Sequence, residues 1–524
     1  MRFAAFLLVS AAAAQSLPRG YVDPAPVLRA ASEAIGAGQL RCVTIAGAGY
    51  AGKLGQNVTQ DTDWPKVPLT NYTRTISYDA KASIERFTRT PGESPRSWKY
   101  GAGWLGGTPL QQSGRQTFIV NGAYAWNTDG ENGEPIPARP DDAEMWQLDI
   151  WMNPHGFLKA AMMPGANPKA IWRWEMVESG RDGATTGAIE KMTIVSITVM
   201  GKYRVNATIN PQNIIQRIET KFPHPVLGDM NYEHEHSDWR ELPGGIRFPA
   251  TWHSHQGYDD ERFKPTITSG HNAFGGEYGD IRVNVCPAIP SPPEVVRNAA
   301  PPATRVEPAR LSDGVWLLGG GSHNSALVEF KDFLAVVEAP LDEERSLAVI
   351  EEAVKLAPGK PIRFLVNTHD HFDHIGGLRT YLHIGATIVT HKRNRVFYED
   401  EILNYVPRLM RPDMVSLYQP TEIREGYTME TVAENYVISD GVRNLHISYV
   451  QPLAHVEGML MAWLPKERIV IEADLFNPGM PTPEGSMKSF RQHVRRLGLE
   501  PASIAPIHGR AVPWADFLKA LAPD

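Results

Sequence analysis

The chain has 524 residues, 42% apolar and 21% charged, with a formal net charge of −7. At roughly 150 residues per domain it holds more than one domain, and its composition is that of a folded globular protein with a real core. Both charge signs are spread along the chain, without the basic stripe that displaces counterions from nucleic acid, so no nucleic-acid partner is expected.

Met1-Arg2 supplies a short positive start, Phe3 to Ala14 an apolar run, and Ala12-Ala13-Ala14 a small-residue end. Residues 1–14 read as a signal peptide cut before Gln15, which predicts a periplasmic or secreted protein. No later apolar stretch reaches spanning length, so no transmembrane segment is expected.

Residues 20–286 form the first domain and read as mainly β. Segments such as Met192 to Met200 and Tyr203 to Ile209 are short, rich in β-branched or aromatic residues, and separated by Gly, Pro and Asn turns. Ten of the 13 tryptophans fall here, Trp98, Trp104, Trp126, Trp146, Trp151, Trp172 and Trp174 among them. They suit a sheet core or an apolar ligand surface. Cys42 and Cys286, the only cysteines, bracket the domain; a disulfide and two buried thiols both stay open. His234 and His236, and His253 and His255, flank Leu242-Pro243-Gly244-Gly245. On a hairpin the four can share one face, as a metal site or as a solvated histidine face. Asn206-Ala207-Thr208-Ile209-Asn210-Pro211, with Asp238-Trp239-Arg240 and Phe248-Pro249, faintly resembles periplasmic lipoprotein-carrier domains, and that resemblance implies a curved sheet around an apolar ligand.

Residues 287–310 are too proline-rich for a helix interior or a central strand and read as a semi-rigid extended linker. From 311 to 524 the pattern becomes α/β. Val315 to Leu318, Ala326 to Phe330 and Leu334 to Glu338 are expected strands, Leu347 to Leu356 an amphipathic helix, and Ile362 to Val366 a further strand. A helix over Gly377 to Leu382 and a strand over Ala386 to Thr390 complete the alternation of a layered domain.

The loop after Ile362 to Val366 reads Thr368-His369-Asp370-His371-Phe372-Asp373-His374-Ile375-Gly376-Gly377. Neutral imidazoles and carboxylates at this density suit zinc or a similar borderline ion, and a structural loop has no use for them. The H-x-H-x-D-H pattern resembles the metallo-β-lactamase superfamily. Further matches follow in order: Pro452-Leu453-Ala454-His455, then Glu472-Ala473-Asp474, then Ile504-Ala505-Pro506-Ile507-His508-Gly509. Ala454, Val456 and Ala473 depart from the family's usual glycine, threonine and glycine.

The resemblance implies a four-layer αββα sandwich holding two divalent metal ions, best matched by Zn2+. His369, His371 and His455 would hold one ion, Asp373, His374 and His508 the other, and Asp474 would bridge them. A hydroxide bridging the ions, oriented by Asp373, would attack an ester, thioester, lactone, amide or phosphoester in a small-molecule substrate. Redox relatives with two irons carry glutamate where this chain has His371, which turns the expectation towards hydrolysis. Glu338 is a candidate support for the motif loop, or a surface acid. Arg510 suits an anionic substrate group or a surface ion pair, and residues 395–427 suit a helical lid or ordinary packing. The alternatives to a hydrolase are an apolar-ligand carrier with an accessory metal domain, and a metal-dependent redox enzyme.

Overall fold

The computed structural model describes residues 20–60, 64–91, 112–130, 133–179, 184–257, 271–404, 406–418, 428–452 and 455–521. The expected signal peptide, Trp98 and Trp104 lie outside them.

Antiparallel hairpins taken in chain order build the first half into a single 14-stranded sheet. It starts with Tyr21–Val22 and Lys169–Ser179 and runs in sequence order to His271–Val283. It then continues through Cys42–Gly52 and Lys66–Ser77 to Ile136–Pro137. The pairing of His271–Val283 with Cys42–Gly52 brings the two ends of the domain together, and a Cys42–Cys286 disulfide closes that seam across 244 residues. A crosslink over so long a loop removes much of the freedom of the unfolded chain.

Among the described residues, the helices Pro24–Ile35, Pro140–Leu148 and Pro154–Ala161 pack into the core of this sheet. Pro24–Ile35 is capped by Asp23, which accepts from Ala25 N, and Pro154–Ala161 by Asn153, which accepts from Gly156 N. Each has proline in its first turn, where the missing N–H costs nothing. Leu28, Ala31, Ile35, Phe157 and Leu158 pack with Val43, Ile45, Tyr72, Ile218 and Phe248 of the strands in one apolar core. Trp126, Trp151 and Trp252 are buried, whereas Trp174 is 62% exposed. The tryptophans therefore divide between core and surface.

The four histidines do not share a face, which corrects the hairpin expectation. Gly228–Leu242 and Ile246–Gly257 do pair, but His234 lies opposite Ser254 and His236 opposite Trp252. Because side chains alternate along a strand, His253 and His255 point to the other face. His234 and His236 are buried, and burial depresses the pKa of both. The linker stretch is also not extended throughout. It contains the short helix Glu294–Arg297, whose Val296 packs under Trp126, and the strand Glu307–Ser312 within and beyond it joins the next sheet.

The second half is a mixed α/β domain of two facing sheets. One orders Glu307–Ser312, Val315–Gly319, Ser325–Glu329, Leu334–Val337, Ile362–Val366, Thr387–His391 and Met429–Val432. The other orders Asn435–Ser439, Asn444–Tyr449, Leu460–Leu464, Ile469–Glu472, Ser503–Pro506 and Val512–Pro513. Val328, Val337, Val366, Ile447, Ala462 and Ile471 meet between the sheets. Glu343–Leu356 and Leu378–His383 cover the outer face of the first sheet, and Glu484–Arg496 and Trp514–Ala520 that of the second. This is the four-layer αββα order.

The halves interlock. The hairpin tip between Ile215–His224 and Gly228–Leu242 inserts fully buried Val226 and Leu227 into the core of the second half, beside Phe372 and Phe397. Arg408 donates to the carbonyls of Pro225 and Val226, each at 2.8 Å, and Asp229 accepts from the backbone of Leu409 and Met410. The described part of 395–418 thus clasps the first domain. Its buried Tyr398 lies against Asn367 and His369, beneath the motif loop. Tyr405 and residues 419–427 lie outside the described residues.

Leu227→Ala leaves a cavity at this junction and should cost about 2–5 kcal/mol of stability. Chemical denaturation followed by tryptophan fluorescence should show it, and an unchanged midpoint would mean that the tip is not part of that core.

Candidate metal centre

The motif loop opens where Ile362–Val366 ends and closes in the short helix Phe372–Ile375. A Cβ on Gly376 would come 1.8 Å from the Leu341 carbonyl oxygen, and one on Gly377 1.8 Å from Ser346 Oγ. These glycines therefore let the loop press against the Leu341 turn and the helix Glu343–Leu356. Neither serves through a left-handed backbone.

The structure brings all seven residues singled out in the sequence together. His369, His371, His455 and Asp474 offer ligand atoms within 4.8 Å of one another. His455 Nε2 lies 2.9 Å from His371 Nδ1, and both His455 Nε2 and His369 Nε2 face Asp474 Oδ2, at 3.0 and 3.4 Å. Asp373, His374 and His508 form a second group within the same limit, joined by His323. Asp474 stands between the groups. Its Oδ1 is 2.9 Å from His508 Nε2 and its Oδ2 3.3 Å from His374 Nε2.

Each motif imidazole is held by its outer nitrogen. Buried Glu338 takes Asn367 Nδ2 on Oε1 at 2.8 Å and His374 Nδ1 on Oε2 at 3.1 Å, so it supports the motif loop. Thr368 Oγ1 donates to the same carboxylate and so must accept from His369 Nδ1. His371 donates Nε2–H to the Asn57 carbonyl at 2.8 Å, and His508 Nδ1 faces the Ser322 carbonyl at 3.3 Å. These bonds set the tautomers and leave His369 Nε2, His371 Nδ1, His374 Nε2 and His508 Nε2 aimed inward.

The charges agree with a cation. Burial opposes ionisation of Asp474, but His455 and His374 outweigh it and hold its carboxyl well below the usual range. Asp373 is likewise depressed against burial by His374 and the hydrogen bond from His323. His374, which burial would deprotonate, is pushed well above its ordinary value by Asp373 and Asp474. Buried His369 Nε2 has no hydrogen-bond partner. Two clustered carboxylates, inward lone pairs and an orphaned ring nitrogen are what a pair of divalent ions would satisfy.

Three contributors went unrecognised in the sequence. His323 ends the loop Gly319-Gly320-Gly321-Ser322 and places Nε2 3.1 Å from Asp373 Oδ2, with its ring 4.1 Å from that of His508. Gln56 donates to Asp373 Oδ1 at 2.6 Å, and Asn57 supplies the carbonyl for His371. A lone histidine after a glycine run is a faint signal, and a backbone carbonyl has none. Arg510 is exposed. On the outer face of the first domain, Glu233, Glu235 and His255 also cluster, with His255 Nδ1 on Glu233 at 3.2 Å.

Residues 318–456 match the metallo-beta-lactamase superfamily. A metallo-beta-lactamase from Pontibacter korlensis is similar at 16% identity, covering 41% of this chain and 97% of its own, with a TM-score of 0.32. One from Hirschia baltica is similar at 17% identity, covering 41% of this chain and 94% of its own, with a TM-score of 0.31. No curated protein matches the chain.

Glu338→Gln removes the carboxylate from Asn367, Thr368 and His374 together. Divalent-cation affinity, read by chelator competition, should fall by about 10–100-fold; an unchanged affinity would separate Glu338 from the centre.

Proposed function

We propose that this chain, whose C-terminal half has the metallo-β-lactamase-like fold, is an exported hydrolase that uses two divalent ions, zinc by preference. The observation that carries the proposal is the convergence of five outwardly anchored or paired imidazoles and two depressed carboxylates on two adjoining points that share Asp474. Nitrogen and carboxylate donors without thiolate suit zinc. His371 offers a ring nitrogen where a glutamate would favour iron.

His369, His371 and His455 would hold one ion, Asp373, His374 and His508 the other, with Asp474 between. When bound, such a pair supplies a Lewis acid and lowers the pKa of a shared water from 15.7 towards ~7. The chain's own residues do the rest. The side chains of His369, His371 and His374 are fully enclosed, while Asp373 is 34% and His508 12% exposed. A small-molecule substrate therefore approaches from the Asp373–His508 side. Asp373 is pinned through Oδ1 by Gln56 and through Oδ2 by His323, so an ionised acceptor faces the entry in one orientation. It is placed to orient a water through its ionised carboxylate, with His323 and His508 beside it. An ester, thioester, lactone, amide or phosphoester fits this chemistry. A fold of this kind serves many substrates and selects none by itself.

Export is inferred from the apolar start ending in Ala12-Ala13-Ala14 and from the Cys42–Cys286 disulfide, which persists in an oxidising compartment. N-terminal sequencing of protein recovered from the periplasm or medium should begin at Gln15; retention of Met1 in cytoplasmic protein would end that part of the proposal.

A panel of ester, thioester, lactone, amide and phosphodiester substrates tests the activity. Chelation should abolish turnover and Zn2+ restore it. Asp373→Ala should lower kcat/KM by more than about 100-fold, beyond what outer partners of a metal usually contribute. Stoichiometric lipid extraction without turnover would favour a carrier instead, and oxygen consumption with bound iron a redox enzyme.

A further inference from the structure

The first domain reaches into the metal centre. Residues 53–60 connect Cys42–Gly52 to the region before Lys66–Ser77, and consecutive residues touch the site one after another. Gly55 O accepts from Phe372 N at 3.3 Å, Gln56 Nε2 donates to Asp373 Oδ1 at 2.6 Å, and Asn57 O accepts from His371 Nε2 at 2.8 Å. Val58 O accepts from Glu457 N at 2.9 Å, next to the His455 loop. The segment thus runs over both ligand-bearing loops of the second domain. Asn57 and Val58 are themselves buried there.

We propose that residues 55–58 are a working part of the metal centre, so that the first domain sets how tightly, and in what geometry, the second domain holds its ions. The proposal rests on the hydrolase reading above and assigns the first domain a role within it. The Asn57 carbonyl selects the His371 tautomer that leaves Nδ1 free for an ion. Gln56 occupies Asp373 Oδ1, leaving Oδ2 to face His374 and His323. A donor on one carboxylate oxygen and an acceptor on an imidazole are the outer partners that orient metal ligands. Here both come from a different domain, more than 300 residues away along the chain (separations of 317 and 314). Gln56 and Asn57 are positioning residues in this account.

Gly55 makes the contact separable. Its φ is +69°, and an added Cβ would lie 2.0 Å from Phe372 Cγ, so Gly55→Ala drives the segment off the motif loop. Gly122, at φ +60° with nothing within 4 Å of its virtual Cβ, gives the matching control: Gly122→Ala imposes the same backbone strain in open space.

The test uses the full chain as wild type, Gly55→Ala, Gln56→Ala and Gly122→Ala. Zn2+ affinity is measured by chelator competition, Co2+ geometry by visible ligand-field absorption, and folding by thermal unfolding of the metal-free protein. Gly55→Ala should weaken at least one ion by about 10–100-fold and change the Co2+ spectrum. Its metal-free form should still unfold cooperatively, below Gly122→Ala only by the contacts of residues 55–58 that it loses. Gln56→Ala should weaken one ion and spare the other, and it carries the test alone if Gly55→Ala does not fold. Wild-type affinity and spectrum in both variants would overturn the inference and leave the hydrolase reading standing. A wild type that binds neither Zn2+ nor Co2+ would overturn the hydrolase reading, and this inference with it.

Discussion

The charge on Asp474 constrains everything around it. Its carboxylate is nearly enclosed, sits on left-handed backbone at φ +58°, and faces imidazole nitrogens on both sides. A charge so buried must be met by opposite charge, because burial removes it from bulk solvent. The neighbouring Glu472 follows the opposite logic. It is fully buried, burial pushes its carboxyl up to about 8, and one oxygen accepts from Leu475 N and Phe476 N. Its backbone contacts shape the turn that presents Asp474. Two acids two residues apart are thus shifted in opposite directions by what each one faces.

That demand spreads outward through hydrogen bonds. Glu338 gathers three groups of the motif loop, Thr368 passes the same carboxylate on to His369, and Asn57 does for His371 what Glu338 does for His374. The last link crosses the domain boundary. It is one of several, since the buried Val226–Leu227 tip and the Arg408 clasp join the halves elsewhere. The first domain is therefore not a module tethered by its linker. It shares a core with the second and ends at the ligands.

Legibility in the sequence followed density of chemistry. His369, His371, Asp373 and His374 fall within six positions, and no structural loop needs that many ligands. His455, Asp474 and His508 became readable only by following the same order downstream. Strands such as Ile362–Val366 and Tyr203–Ile209 were plain because their apolar runs end at polar or turn residues. The helices Pro24–Ile35 and Pro154–Ala161 carried the signal of a capping Asp or Asn before proline, yet they are short pieces in a β-rich region. The histidine pairs failed on parity. With Leu242 opposite Ile246, every even position of one strand meets an even position of the other. A pairing shifted by one residue would have brought His234 level with His253 in one direction and with His255 in the other. Gln56 and Asn57 were out of reach for another reason: the Asn57 contact is a backbone carbonyl, and its placement depends on Gly55 fitting against Phe372.

The two groups of candidate ligands differ in access. The cluster of His369, His371 and His455 lies under residues 55–58, with ring side chains at most 2% exposed. The cluster of Asp373, His374 and His508 opens to solvent through Asp373 and His508. Behind them lies buried His323, whose pKa burial depresses despite its bond to Asp373. Lys53 lies near enough to feel the charge of Asp373, and Arg510 is exposed. One side of that opening is built by the first domain, whose Gln56 holds Asp373 Oδ1 from more than 300 residues away along the chain.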